Sequence, residues 1–191
     1  ARGYDAEAID DFTRAVNLQK DHEVYHQRGL VYYKQKNFKR ALDDFKEATK
    51  FDHSNKLTWN HMGLCFNAIG NCKEVRTRNV SWESRITDTD FQAVEAHMKA
   101  ISLDRTFKEA WANMAQAYKD WGNYEKAEQF FTKSLEFDPN YVHSYHLRAM
   151  ARFGVGEHFR ALEDLNTAVK ADSHHVDSRH MRGVIMTGLV R

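Results

Sequence analysis

The stretch WANMAQAYKDWGNYEKAEQFFTKSLEFDP, running from Trp111 to Pro139, carries the fold in a single unit. Its first half places Trp111, Ala115 and Tyr118 four and three residues apart, with Met114 beside them. Its second half repeats that spacing with Ala127, Phe131 and Ser134. Steps of three, four and seven put side chains on one face of an α-helix. Gly122-Asn123 breaks the pattern between the halves, and Phe137-Asp138-Pro139 closes it. The unit therefore reads as two short antiparallel helices. Small residues let the two backbones approach, and aromatic rings fill the space beside them.

The same set recurs outward in both directions. Gly29, Gly63, Ala115, Ala149 and Gly183 are separated by 34, 52, 34 and 34 residues. Ala8, Ala41, Ala93, Ala127 and Ala161 are separated by 33, 52, 34 and 34. Large side chains precede the first series by four (Tyr25, Trp59, Trp111, Tyr145) and follow it by three (Tyr32, Phe66, Tyr118). Phe12, Phe45, His97, Phe131 and Leu165 follow the second series by four, and Ala15, Ala48, Ala100, Ser134 and Ala168 by seven. The units close on Phe51-Asp52, Leu103-Asp104, Phe137-Asp138 and Ala171-Asp172. A lone hairpin cannot bury both its faces, so neighbouring units must stack. With one proline and nine glycines in 191 residues, an all-α chain is expected.

The pattern W-x2-L-G-x2-Y…A-x3-F…P resembles the tetratricopeptide repeat. Trp111-Met114-Ala115-Tyr118…Ala127-Phe131…Pro139 follows it nearly throughout. Trp59-Met62-Gly63-Phe66 and Tyr25-Gly29-Tyr32…Ala41-Phe45 follow it closely. Arg152 departs from it in place of the second aromatic, Arg179 in place of the first, and a single closing proline is present. The resemblance implies a right-handed α-α superhelix, a solenoid of antiparallel helix hairpins over residues 1–191. The register predicts a second helix of a truncated repeat at 1–21 and repeats at 22–55, 56–107, 108–141 and 142–175. A first helix of a truncated repeat follows at 176–191, so the array is expected to continue in both directions.

One departure from the consensus is systematic. Arg28, Arg148 and Arg182 stand at the seventh position, where Leu is expected, and Asp44 and Asp164 lie sixteen residues after the first two. The other full units carry Met62 with Ala96 and Met114 with Phe130. Charge is present at both places or at neither, which predicts Arg28–Asp44 and Arg148–Asp164 bridges between the helices of one hairpin.

The long interval is explained by an insertion at 75–92, VRTRNVSWESRITDTDFQ, whose removal restores the register. Two readings stand. It is a loop with Trp82 as an anchor for a partner, placed where added length costs little closure entropy. Or it is a retained intron, since Val-Arg can be encoded GTAAGA and Phe-Gln TTTCAG, and whole codons preserve frame. Asn79-Val80-Ser81 is a glycosylation triplet of a kind that is common by chance.

In the resembled family, positions 2, 5, 9 and 12 of each first helix, with 6 and 13 beside them, line a concave groove that holds a peptide or helix. Here that stripe offers Glu23, His26, Leu30 and Tyr33, then Leu57, Asn60, Leu64 and Asn67. Glu109, Ala112, Asn113, Gln116 and Lys119 follow, then His143, His146, Met150 and Phe153, then Asp177, His180 and Val184. The positions that clamp a terminal carboxylate in the co-chaperone subset hold His26, Leu30, His61, His143 and Leu147, so that clamp is not expected. An asparagine ladder is not expected either, because Asn113 is answered by Gln27, His61, Leu147 and Met181. His26, His146 and His180 share one position, but first helices about 10 Å apart are too distant to share a zinc ion. Imidazoles that protonate near pH 6 would favour an acidic partner; a plain solvated surface is the alternative.

The net charge of +1, with 28 basic and 27 acidic side chains, suggests neither nucleic acid nor an anionic membrane as ligand. No apolar run is long enough to span a bilayer. Cys65 and Cys72 do not form a disulfide framework, and reduced thiols fit an intracellular protein. No nucleophile elbow, phosphate loop or zinc motif occurs, and the paired carboxylates Asp10-Asp11 and Asp43-Asp44 lie on helix faces. Neither catalysis, a cofactor nor a bound metal is expected. The functional expectation is a scaffold that binds another protein through an acidic or polar peptide or a helix. The alternatives are a targeting arm of a larger enzyme and a structural element that self-associates through its truncated ends.

Overall fold

A computed structural model of the chain describes residues 2–71 and 87–189, and every regular element in them is an α-helix. Two compact units are formed, Ala1–Arg105 and Thr106–Arg191. The first holds α1 (Arg2–Leu18), α2 (His22–Lys34), α3 (Phe38–Phe51), α4 (Lys56–Asn71) and α5 (Asp88–Leu103). The second holds α6 (Lys108–Trp121), α7 (Tyr124–Phe137), α8 (Val142–Gly154), α9 (His158–Ala171) and α10 (Val176–Leu189). None of these helices is long and apolar enough to cross a membrane.

Within the hairpins α2–α3, α6–α7 and α8–α9 the turn has one construction. The amides of Asn37, Asn123 and Glu157 each return 2.9 Å to the carbonyls of Tyr32, Tyr118 and Arg152. The residue before each of them takes a left-handed backbone: Lys36 (φ 61), Gly122 (φ 89) and Gly156 (φ 85). Glycine adopts that conformation without strain, whereas an L-residue is disfavoured there by about 1–2 kcal/mol. Replacing Lys36 with Gly is therefore expected to stabilise the first unit by about 1 kcal/mol. A raised urea midpoint with an unchanged slope is the readout; a lowered midpoint would mean that the lysine stem contributes more than its backbone loses.

Between repeats the turn is closed by aspartate. Asp52, Asp138 and Asp172 end their helices in extended conformation. Each accepts a backbone N–H two residues on, at 2.8, 2.9 and 2.8 Å, from Ser54, Asn140 and His174. These Asx turns reverse the chain into the next first helix. Lys56 pairs with Asp104 and Lys108 with Asp138, tying the start of a repeat to its end.

The core is the consensus set. Ala41, Phe45 and Ala48 are fully buried, as are Ala127, Phe131, Ala161, Leu165 and Ala168. Close approach explains two glycines of the first series, Gly29 and Gly63. A Cβ on Gly29 would lie 2.8 Å from the Phe45 ring, and one on Gly63 would lie 2.5 Å from the His97 ring.

The structure moves one expected boundary. Helix α5 starts at Asp88, so 88–92, expected within the insertion, are helical. Thr87 and Asp90 form a capping box: the Asp90 amide reaches Thr87 Oγ1 at 3.4 Å, and the Thr87 amide reaches Asp90 Oδ2 at 2.8 Å. Residues 75–86, with Trp82 and Asn79-Val80-Ser81, and Cys72 lie outside the described residues. Cys65 is buried, and burial pushes its thiol up to about 12.

Candidate partner-binding face

In the first unit α2 and α4 lie side by side, tied by imidazoles. His22 Nε2 and His26 Nδ1 each stand 2.8 Å from the Thr58 hydroxyl. That hydroxyl has one hydrogen, so it donates to one ring and accepts from the other, and the two histidines hold complementary tautomers. The His61 ring packs 5.3 Å from His26 and 5.5 Å from Phe45. Burial, then His61 and His22, lowers His26 to about 4. The other contact into this core comes from Asn60, whose Oδ1 accepts from His97 Nδ1 at 3.0 Å. Asn67 Nδ2 donates to His97 Nε2 at 3.3 Å. These amide partners fix the neutral tautomer of a ring that stands where Phe45 and Phe131 stand in other repeats.

Of the stripe expected to face a ligand, His26 and Asn60 are thus turned inward, at 6% and 5% exposure. Leu30, Tyr33, Leu64 and Asn67 are half-buried, and Leu57 is exposed. Leu30 and Tyr33 also pack against the core. Sequence spacing alone did not single out Thr58 or His97 as the reason for this inward turn.

In the second unit Asn113, Gln116 and Lys119 on α6 are half-buried. Gln116 Nε2 and Lys119 Nζ both donate to Asp120 Oδ1, at 2.6 and 3.1 Å. On α8, Met150 and Phe153 are half-buried, and His143 is exposed. His146 Nδ1 lies 3.2 Å from the Ser178 hydroxyl on α10. The same tie therefore recurs in both units: a fifth-position His meets a hydroxyl 32 residues later, His26 with Thr58 and His146 with Ser178. His180, at the same position of α10, is exposed. Among the described residues no group of three His, Cys, Asp or Glu is set to hold a metal.

Behind this face guanidinium groups lock two of the hairpins, α2–α3 and α8–α9. Arg28 grips Asp44 through Nε (2.9 Å) and Nη2 (2.7 Å) and reaches Thr13 on α1 through Nη1 (3.2 Å). Arg148 repeats all three contacts with Asp164 (3.0 and 2.7 Å) and Thr132 (3.0 Å). Such bidentate pairs fix orientation as well as charge. Arg152, which departs from the repeat pattern, extends the network. It donates to Asp164 Oδ2 at 2.8 Å and, through Nε and Nη2, to Glu128 Oε1 on the preceding repeat at 3.0 and 2.8 Å. Arg160 joins the same Glu128 oxygen at 2.7 Å.

Residues 22–55 and 109–141 match the model of the tetratricopeptide repeat. Those two segments are tetratricopeptide repeats. Among curated proteins, human Tetratricopeptide repeat protein 13 is 25% identical over 113 residues, covering 59% of this chain. The chain spans 11% of that relative, and 29% and 23% of two further human relatives. Among solved structures, TTC0263, a thermophilic tetratricopeptide repeat protein of Thermus thermophilus, superposes with a TM-score of 0.78 at 17% identity, covering 97% of this chain and 92% of its own. The APC/C hetero-tetramer Cut9-Hcn1 superposes with a TM-score of 0.74 at 16% identity, over 96% of this chain and 34% of that one. These likenesses establish the tetratricopeptide fold of hairpins that the two units display.

Proposed function

We propose that the first-helix faces of the two units bind a polar or acidic segment of another protein, making the chain an interaction scaffold. One observation carries this reading. Met150 and Phe153 stand half-buried on α8, neither sealed in the core nor fully solvated, and Met150 packs on a cluster that includes Ala112 and Ala115 of α6, the helix that bears Asn113 and Gln116. Apolar side chains would seat the bound segment, and amides would read its backbone. The Cut9-Hcn1 assembly, a hetero-tetramer on the same fold, supports protein binding as the mode. The expected ligand is polar rather than a clamped carboxylate terminus, because imidazoles occupy the places where cations would be needed.

A photo-crosslinking amino acid placed at Leu64 or Met150 tests the face directly. Capture of partner from these sites is expected, with none from Phe91 or Phe137 on second helices. Capture only from the second-helix sites would overturn the assignment. Met150→Glu is expected to weaken the captured complex by about tenfold, roughly 1.4 kcal/mol.

A further inference from the structure

The seam between the two helices of a hairpin has one place that the four hairpins fill in different ways. Three residues after the alanine anchor stand Asp44, Ala96, Phe130 and Asp164. Asp44 and Asp164 hold the guanidinium groups of Arg28 and Arg148 there. In α6–α7 the Phe130 ring takes the place, 6.0 Å from the Trp111 ring and 5.4 Å from that of Tyr118. In α4–α5 the corresponding rings are Trp59 and Phe66, but Ala96 offers only a methyl group. A cavity of about 340 Å³ lies there, lined by Trp59, Met62, Phe66, Ala96, Glu95 and Lys99. By helical spacing Trp59, Met62 and Phe66 share a face of α4 that does not include Asn60, Leu64 or Asn67.

Shape and charge point to the occupant separately. The Trp59 indole is held by its own N–H, which donates to the His53 carbonyl at 2.9 Å, so one wall of the cavity is set in advance. A ring entering the cavity would repeat the place of Phe130 between Trp111 and Tyr118, in the tilted packing that aromatic pairs favour. Glu95 and Lys99 are exposed one turn apart on α5, and among the described residues neither has an ion-pair partner. Side chains at this spacing start about 5–6 Å apart, a gap that the neighbouring ammonium and carboxylate of one amino acid can bridge. Lys46 of α3, with its ammonium 5.7 Å from the Phe66 ring, adds a second cation that favours a carboxylate. The volume lies at the lower end of the roughly 300–1,000 Å³ of ligand pockets, which suits a single amino acid.

We propose that the α4–α5 cavity binds a free aromatic amino acid, with its ring over Ala96 between Trp59 and Phe66, its carboxylate at Lys99 and its ammonium at Glu95. The ring supplies the burial that Phe130 supplies within α6–α7, and the two charges orient the ligand. An aromatic side chain inside a bound protein would offer the ring but neither charge. The site is separate from the first-helix face and does not depend on the partner bound there.

Titration of the isotope-labelled whole chain with L-phenylalanine, followed by NMR, reads the site through the Trp59 indole N–H. A saturable shift of that resonance is expected. Phenylpropionate lacks the ammonium, phenethylamine lacks the carboxylate and N-acetylphenylalaninamide lacks both charges. Each is expected to bind at least about tenfold more weakly than phenylalanine. Glu95→Gln and Lys99→Gln lie at exposed positions and are expected to keep the fold while weakening phenylalanine by about tenfold each. Ala96→Phe supplies the missing ring from within and is expected to abolish binding. An unaltered chain whose Trp59 indole shows no saturable shift overturns the proposal. So does N-acetylphenylalaninamide binding as tightly as phenylalanine, which would assign the cavity to a protein side chain, or phenylalanine binding unchanged in both Gln variants.

Discussion

Replacing Asp164 with alanine is expected to destabilise the second unit by about 3–5 kcal/mol, the largest loss from any single substitution considered for it. The carboxylate is 3% exposed and receives three N–H donors, two from Arg148 and one from Arg152. Its removal leaves two largely buried guanidinium groups, one held by Thr132 and the other by Glu128. An uncompensated buried cation costs more than the bridge itself contributes. For that reason the neighbouring repeat supplies the control. At the three places it carries Met114, Tyr118 and Phe130, with no charge at any of them. Arg148→Met, Arg152→Tyr and Asp164→Phe combined are expected to recover most of the loss, although each alone is harmful. Amide exchange in α8 and α9 measures the effect within the unit. A loss below about 1 kcal/mol for Asp164→Ala would show that water already solvates the pair in the fold. Asp44→Ala strands only Arg28 and is expected to be the milder counterpart in the first unit.

The period and the bridges were legible because both depend on linear spacing. Sixteen residues connect Arg28 to Asp44 and Arg148 to Asp164, and a hairpin of fixed geometry turns that count into contact. The inward turn of His26 and Asn60 was not legible by the same means. Whether a fifth-position side chain faces a ligand depends on the third position of the next repeat, where Thr58 and Ser178 offer hydroxyls. Asn60 turns inward because His97, smaller than the Phe of other repeats, brings ring nitrogens into the core that need partners. Arg152 looked like a lost aromatic because Glu128 belongs to the preceding repeat, and stacking alone brings them together. The start of α5 was readable, since Thr87-x-x-Asp90 is a capping sequence, but register arithmetic gave it no weight. A partner's identity has no comparable signal. The face residues differ from repeat to repeat, so no period averages them into a pattern.

Acid is expected to remove several kcal/mol from the first unit between pH 6.5 and about 4, with His97 and His26 as the main causes. The ring is fully buried, and burial pushes it down to about 3. In the unfolded chain the same imidazole titrates near 6.5. Above that pH both states are neutral, and the ring contributes no pH dependence. Below it the unfolded chain binds a proton that the folded core refuses, so stability falls by roughly 1.4 kcal/mol per pH unit until the folded ring titrates. His26, lowered to about 4, adds a similar loss across the same window. Protonation of His26 also disturbs the tautomer match at Thr58, because the charged ring can only donate to the hydroxyl. Urea midpoints of the whole chain from pH 7.5 to 5 measure the slope. His97→Phe restores the ring found at Phe45 and Phe131, and it leaves Asn60 and Asn67 without the imidazole. Its stability at pH 7.5 is therefore expected to drop, while its slope below pH 6.5 flattens by roughly 1.4 kcal/mol per unit. The two effects separate the hydrogen bonds of His97 from its charge. An unchanged slope in His97→Phe would mean that this ring already accepts a proton in the folded chain.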